Sequence, residues 1–493
     1  MTCGFHNVAT ARALCLIVAV AASAPVLAGC GSSRTAARAD WPLPNLDLAS
    51  TRSLPSSHID RHNVERLHVL WRFRFRIRPR ASGVFTATPI VVGDAVYVQD
   101  MESNVFALDR QTGRIRWRHR FAAGNPGPNG LAVAGARIYG ATDTTVVALT
   151  ATAGRLVWQR RIVSPAEQFV DTAPQIANGL VYMATIGYPP GGRGALYALD
   201  AATGAVRWKA PTIKGKWRYP REAGGGGAWY PPSVDGAGRV YWGTANPGPW
   251  GGTRRRPNGG SFPGPALFTD SLLALEGRTG RLAWYEQVTP HDVRDHDFQL
   301  SPVLAHGLVI GAGKAGLVIA WDPTTHRRVW QASVGIHRND RGPLPTRLVP
   351  VCPGLLGGVE TPMAYAGGRV FVPVVDLCMR GSAYGYEPLA RVDVSKGRGE
   401  LVALDAATGR RLWARSLPQP DFGCATAADG VVFTTTFDGA VYGLDARDGS
   451  TLWTARLRAG INACPALASG LLLVGAGFPL PGRRVFELVA YGT

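Results

Sequence analysis

One phrase recurs seven times along the chain and restricts its fold more than any other feature. It consists of an apolar pair, an Asp-like turn, Thr-Gly and then a Trp. The copies are VFALDRQTGRIRW (105–117), VVALTATAGRLVW (146–158), LYALDAATGAVRW (196–208), LLALEGRTGRLAW (272–284), VIAWDPTTHRRVW (318–330), LVALDAATGRRLW (401–413) and VYGLDARDGSTLW (441–453). A repeat of about 40–50 residues signals a propeller or another array of stacked units.

Each copy alternates apolar and polar positions with β-branched and aromatic types, as strands do. In the Asp-x-x-Thr-Gly turn the Asp bonds back to the backbone and the Gly accepts positive φ. Upstream, an apolar strand starts at a small or Pro-containing segment, as at Thr88-Pro89, Ala173-Pro174, Ser301-Pro302, Thr361-Pro362 and Cys464-Pro465. Each unit thus holds about four antiparallel strands, a propeller blade. Two halves are left over: residues 63–75 carry a strand with Trp71, and residues 485–491 carry a strand with no Trp after it. Joined, they close a ring and remove sheet edges. The expectation is an all-β, eight-bladed β-propeller whose N-terminal strand completes the last blade. Its packing tryptophans are Trp71, Trp117, Trp158, Trp208, Trp284, Trp330, Trp413 and Trp453. Wide gaps between tryptophans place insertions around 245–269 and 375–399, and long loops on a rigid scaffold are where function concentrates.

The 493 residues could form several domains, but the repeat makes residues 58–493 one circular domain, since each unit needs its neighbours. With 46% hydrophobic and 18% charged residues, the 61 glycines and 36 prolines serve turns and not disorder. The formal charge of +19 is that of a solvated Arg-rich surface, or of one with affinity for lipid headgroups or cell-wall polymer. No basic helical motif points to nucleic acid. Arg12 precedes an apolar run (13–24) and then LAGC (27–30), so residues 1–29 read as a signal peptide and residues 30–57 as a flexible tether. LAGC resembles a bacterial lipobox, which implies cleavage before Cys30, a diacylglyceryl group on it, and a protein held on the outer face of the cell membrane. Cys352, Cys378, Cys424 and Cys464 remain, an even number suited to two disulfides in an exported protein. Of the three pairings open to them, we take Cys352 with Cys378 and Cys424 with Cys464.

The stretch TPHDVRDHD (289–297) packs three acids and two histidines between strand-like runs. His291 and His296 read as loop hydrogen-bonders, because no third ligand at regular spacing supports zinc. Arg254, Arg255 and Arg256 read as a solvated loop.

From His58 onward the chain resembles the quinoprotein alcohol dehydrogenases, eight-bladed propellers that bind pyrroloquinoline quinone (PQQ) and a metal ion. GTANPGPW (243–250) looks like the segment whose Asn, here Asn246, binds the metal. In TPHDVRDHD the resemblance makes Asp295 the metal-bound general base and places Asp297 where a second acid marks the lanthanide-using branch. GKAGLVIAWD (313–322) supplies Lys314 for the quinone oxygens, and GGGGAWYPP (224–232) supplies Trp229 to stack under the cofactor. The turn NPGPNGLAV (125–133) gives Asn129 as a cofactor contact but lacks the family's vicinal cysteines and the Arg after them. GYPPGGRG (187–194) lacks the expected metal-binding Glu, and Glu360-Thr361 replaces an Asn-Trp pair. The metal site is short of one ligand unless Asp297 or Glu360 substitutes.

These residue types suit alcohol oxidation. A carboxylate takes the hydroxyl proton, a hard cation with Lys polarises a carbonyl, and the cofactor carries the hydride chemistry. The implied partners are PQQ, calcium or a lanthanide, a small alcohol and, with no Cys-x-x-Cys-His in the sequence, a separate electron carrier. For Asp295 the alternative is a loop acid bonding local N–H groups. For the whole chain the alternative is a non-catalytic propeller lipoprotein serving binding or envelope assembly, since the same blade builds such proteins.

Overall fold

The computed structural model describes residues 39–493 except Ala81, Pro126, Pro128, 164–167, Pro189, Lys216 and Pro263. The signal peptide and Cys30 lie outside the described residues. Seven sheets of four antiparallel strands and one of five account for the repeat. We number the blades in chain order: blade 1 at 90–119, blade 2 at 132–161, blade 3 at 168–211, blade 4 at 233–287, blade 5 at 303–333, blade 6 at 364–417, blade 7 at 426–456 and blade 8 at 466–492. His68–Arg74 completes blade 8 as its outer strand, pairing antiparallel with Glu487–Gly492, so chain start and chain end share one sheet. No helix among the described residues is long and apolar enough to cross a membrane.

The repeated turn has a packing reason beyond its own geometry. Six of the eight tryptophans lie on the turn glycine of the next blade, with Trp158 against Gly204 and Trp208 against Gly280 as examples. A Cβ on Gly204 would sit 2.5 Å from the Trp158 ring. Seven of the eight indole N–H groups donate to a backbone carbonyl of the next blade, as from Trp71 to Arg110 (2.9 Å) and from Trp453 to Leu67 (3.2 Å). The exception is Trp284. There His326 replaces the glycine, and its ring stacks on the indole at 5.0 Å instead. The core is correspondingly shared between neighbouring sheets: Ile310, Val318 and Trp330 of blade 5 pack with Val370, Val372 and Leu404 of blade 6.

Residues 39–57, expected as part of the tether, are instead packed along the first strands of the blades. Trp41, Pro42, Leu48, Ala49, Thr51 and Arg52 exchange backbone hydrogen bonds with blades 1, 2, 4, 5, 6 and 7 in turn. The segment's polar composition conceals this, because its backbone groups are satisfied by strands distant in sequence and not by a local pattern. Arg52 is fully buried and donates to Ala425 O, Pro44 O, Asn45 Oδ1, Thr426 Oγ1 and Pro465 O. Both expected disulfides are present. Cys424–Cys464 joins the beginnings of the inner strands of blades 7 and 8, and Cys352–Cys378 ties the two long loops of blade 6.

Candidate active site

Antiparallel blades place two kinds of loop on one face: those from one blade to the next, and those between second and third strands. The Asp-x-x-Thr-Gly turns lie on the other face. Residues 288–302 connect blades 4 and 5, residues 313–316 lie within blade 5, and residues 244–270 within blade 4. All three therefore meet on one face.

Asp292 organises the first loop. One carboxylate oxygen accepts the N–H of Arg294 (2.8 Å) and the other that of His296 (2.7 Å). Between them Asp295 adopts a left-handed backbone, φ 64°, a conformation that side-chain-bearing residues enter at a cost and that concentrates at functional sites. The expected alternative for Asp295, bonding local N–H groups, is therefore what Asp292 does. Asp295 Oδ2 instead accepts from Lys314 Nζ at 2.8 Å, and the same ammonium lies 2.7 Å from Asp297 Oδ2. Asp297 Oδ1 accepts the backbone N–H of Asn246 at 2.6 Å, while the Asn246 amide nitrogen donates to Pro247 O. The loops approach backbone to backbone: Lys314 N donates to Asp297 O at 2.9 Å, and a Cβ on Gly313 would collide with that carbonyl.

All of these groups are buried. Burial pushes Asp295 upward against the pull of Lys314. Burial disfavours the Lys314 ammonium too, but Asp295, Asp297 and Glu360 more than offset it and hold it protonated. Burial raises Asp292 to about 6 and Glu360 to about 7. It lowers His296 to about 3, so that ring is neutral. His291 bonds Gly264 O and Asn258 O through its two ring nitrogens, and Arg294 donates to the carbonyls of Asn339, Arg341 and Gly342. Neither histidine approaches a metal-like cluster among the described residues. Arg256, expected to be solvated, pairs with Glu222 and lies over the Tyr219 ring.

Three further carboxylates, Asp171, Asp270 and Glu360, were not candidates or were only substitutes in the sequence reading. Both oxygens of Asp171, both of Asp270 and Oε1 of Glu360 are buried with no hydrogen-bond partner. Burial raises Asp270 far above the usual range, and the charges of Asp292, Asp297 and Asp295 add to it. Glu360 Oε2 accepts from Gln299 Nε2 at 3.0 Å. The signal for Asp171 was available: it stands three residues before the proline of a blade start, VDTAP, where other blades carry Thr86, Gln299, Val359 and Asn462 and none carries an acid.

Trp229 lines one cavity with Asn246, Tyr188 and Trp250, and a second with Thr86, Asn129, Thr361 and Cys464. Asn129 accepts from the Thr86 hydroxyl and donates to Asp100 O. Phe169 packs 6.2 Å from the Trp229 ring. The oxygen donors of Asp295, Asp297 and Asn246 suit a hard cation in kind, and the surplus of buried carboxylate over the lone Lys314 favours added positive charge. No third acid converges with the pair among the described residues. An aromatic floor and an ammonium likewise suit a flat quinone, whereas Asp171 and Glu360 would meet a polycarboxylate with like charge.

Known proteins share this arrangement of blades and loops. The chain is 26% identical to the quinohemoprotein alcohol dehydrogenase ADH IIB of Pseudomonas putida, over 92% of this chain and 73% of that protein. It is 27% identical to the putative dehydrogenase XoxF of Paracoccus denitrificans, over 85% of this chain and 83% of that one. A europium-containing methanol dehydrogenase superposes with a TM-score of 0.78 at 20% identity, covering 92% of this chain and 98% of that chain. The PQQ_2 family profile, described as outer membrane protein assembly factor BamB, matches residues 57–246 and 316–485. These two stretches take in most of the blades described above, and the chain belongs to the PQQ_2 family.

Proposed function

We propose that the protein is a quinoprotein dehydrogenase that oxidises a small alcohol, with Asp295 as the general base. The observation that carries this reading is the buried Asp295–Lys314–Asp297 cluster, set beside Asn246 and Trp229 on one face of the ring. Asp295, Asp297 and Asn246 would hold a calcium or lanthanide ion, and Trp229 and Asn129 would line the quinone. When bound, PQQ supplies a two-electron acceptor and the cation supplies Lewis acidity. Asp295 accepts the proton of the substrate hydroxyl. Lys314 orients that carboxylate and opposes the upward shift that burial gives it. The walls exclude water, which strengthens each of these electrostatic contacts. In our reading Cys30 carries a lipid anchor outside the membrane, and electrons leave to a separate carrier.

A binding or envelope-assembly propeller is the second reading, favoured by the description of the family profile. The unpartnered carboxylates weigh against it, because a buried charge lowers the stability of a scaffold unless it serves a site. The test is dye-linked alcohol oxidation after reconstitution with PQQ and calcium or a lanthanide, with Asp295→Ala alongside. Dehydrogenase activity lost in the variant is expected. No PQQ absorbance on the protein, with both proteins equally inactive, would leave the scaffold reading.

A further inference from the structure

Away from the candidate active site, exposed arginines line the gap between the outer strands of blades 8 and 1. Along His68–Arg74, Trp71 and Phe73 are buried while Arg72 and Arg74 are exposed. The alternation runs on through buried Phe75 and exposed Arg76. Opposite, Ile115–His119 and its continuation expose Arg116, Arg118 and Arg120. Between the two runs lies a trough of about 780 Å³, walled by Arg72, Arg74, Arg76, Arg118 and Arg120. Its floor is apolar, made by Phe73, Phe106 and Ile115, and Glu102 is the one acid lining it.

The surrounding protein does not neutralise this charge. Arg72 shares Glu487 with Arg458. Arg74, Arg76, Arg118 and Arg120 make no ion pair among the described residues. Both runs are also sheet edges: His68–Arg74 ends one sheet and Ile115–His119 ends the next. An edge strand presents unpaired N–H and C=O groups along its length.

We propose that this trough is a docking groove for an extended acidic segment of a partner protein, one that alternates carboxylates with apolar side chains. In an extended segment successive side chains point to opposite sides. One side would meet the guanidinium forks, which match carboxylates bidentately, and the other would cover the Phe and Ile floor. The free edges would add main-chain hydrogen bonds, as in strand addition. A phosphate polymer or a lipid headgroup layer meets the arginines but uses neither the floor nor the edges, so an acidic polypeptide is the better fit.

The inference does not rest on the dehydrogenase reading and is tested on the full chain. A fluorescein-labelled peptide of alternating Glu and Leu is titrated by anisotropy, beside a peptide of the same composition with its Glu and Leu in separate blocks. Polyphosphate and phosphatidylglycerol vesicles are titrated in parallel. The alternating peptide should bind more tightly than the block peptide, and more weakly as salt rises. The double variant Arg74→Glu/Arg118→Glu should weaken it by about tenfold or more. Arg411→Glu/Arg415→Glu on blade 6, with the same change in net charge, should weaken it less than about twofold. Circular dichroism confirms that both variants fold. Equal loss in the two variants would reduce the effect to overall charge. Polyphosphate or vesicle binding that falls as steeply as peptide binding in the trough variant would replace the peptide with a general polyanion. Absence of peptide binding at low salt would also overturn the proposal.

Discussion

Lys314→Met is the substitution that most directly tests how the centre of the ring is held together. Methionine keeps the length and most of the volume of the side chain but removes the ammonium that lies 2.8 Å from Asp295 and 2.7 Å from Asp297. Removing one partner of a buried ion pair costs about 3–5 kcal/mol, because the charge left behind has neither water nor a counter-ion. Here two carboxylates are left, at 13% and 0% side-chain exposure, so the upper part of that range is expected at neutral pH. Urea unfolding followed by tryptophan fluorescence reads it as a lowered midpoint at unchanged slope. The triple variant Lys314→Met/Asp295→Asn/Asp297→Asn removes the charges together and should recover to within about 1 kcal/mol of the native protein. Calcium or a lanthanide should restore part of the stability of Lys314→Met by taking the place of the ammonium, and should do nothing for the triple variant. A loss below about 1 kcal/mol for Lys314→Met would place the cluster in the range of solvent-screened surface pairs and refute its burial.

Three other outcomes follow from the structure. Gly204→Ala should destabilise by about 2–4 kcal/mol, since its Cβ meets the Trp158 ring at a φ of 72°; Gly307→Ala, with the same φ but nothing within 4 Å, should cost about 1 kcal/mol by thermal unfolding. Burial raises Asp421 to about 8 even with the Thr434 hydroxyl on its carboxylate. The native state then holds a proton that the unfolded chain releases near pH 4, so stability is greatest below that and falls by several kcal/mol as pH rises to about 8; Asp421→Asn should flatten this part of the profile. Asp171→Asn removes a buried carboxylate whose charge acts on Tyr188 and Tyr230 and should tighten PQQ binding, measured by absorbance titration, with a gain that grows as pH rises; an unchanged or weakened affinity at high pH counts against a like-charge penalty at the site.

The ring was legible because its physics is local and repeated. Most copies of the turn carry the Asp, the Gly and the Trp that packs onto the next turn, so short stretches of sequence define most of the interfaces. Closure by the strand bearing Trp71 followed from two unmatched halves. The loops holding Asn246, Asp295, Asp297 and Lys314 were legible by resemblance, and the fold brings them to one face. What stayed hidden depends on contacts distant in sequence. Residues 39–57 have no periodicity, and only the first strands of six blades show how the segment that carries the buried Arg52 is held. Nothing in TPHDVRDHD tells which acid caps the loop and which faces the lysine. The left-handed backbone at Asp295 and the two N–H groups on Asp292 decide it. The carboxylate of Asp270 sits at the start of a strand, where an acid reads as an exposed residue.

The charge distribution inverts from surface to centre. The surface carries most of a net +19, which draws anions toward the protein, while inside it the buried carboxylates of Asp270, Asp295, Asp297 and Glu360 act on the one ammonium of Lys314, and Asp171 acts with Asp295 and Asp297 on Tyr188. An anionic cofactor is thus favoured on approach and opposed on entry, unless the inner carboxylates are neutralised. Two routes exist in this structure. Asp171 and Glu360 take up protons more readily than exposed acids because burial penalises their charged forms. A cation held by Asp295, Asp297 and Asn246 would cancel charge that Lys314 cancels only in part. Each positive charge gained by the second route lowers the barrier to the anion, and by linkage the bound anion must tighten the cation by the same factor. Cation and quinone become two halves of one neutralisation, and neither is expected to bind well alone.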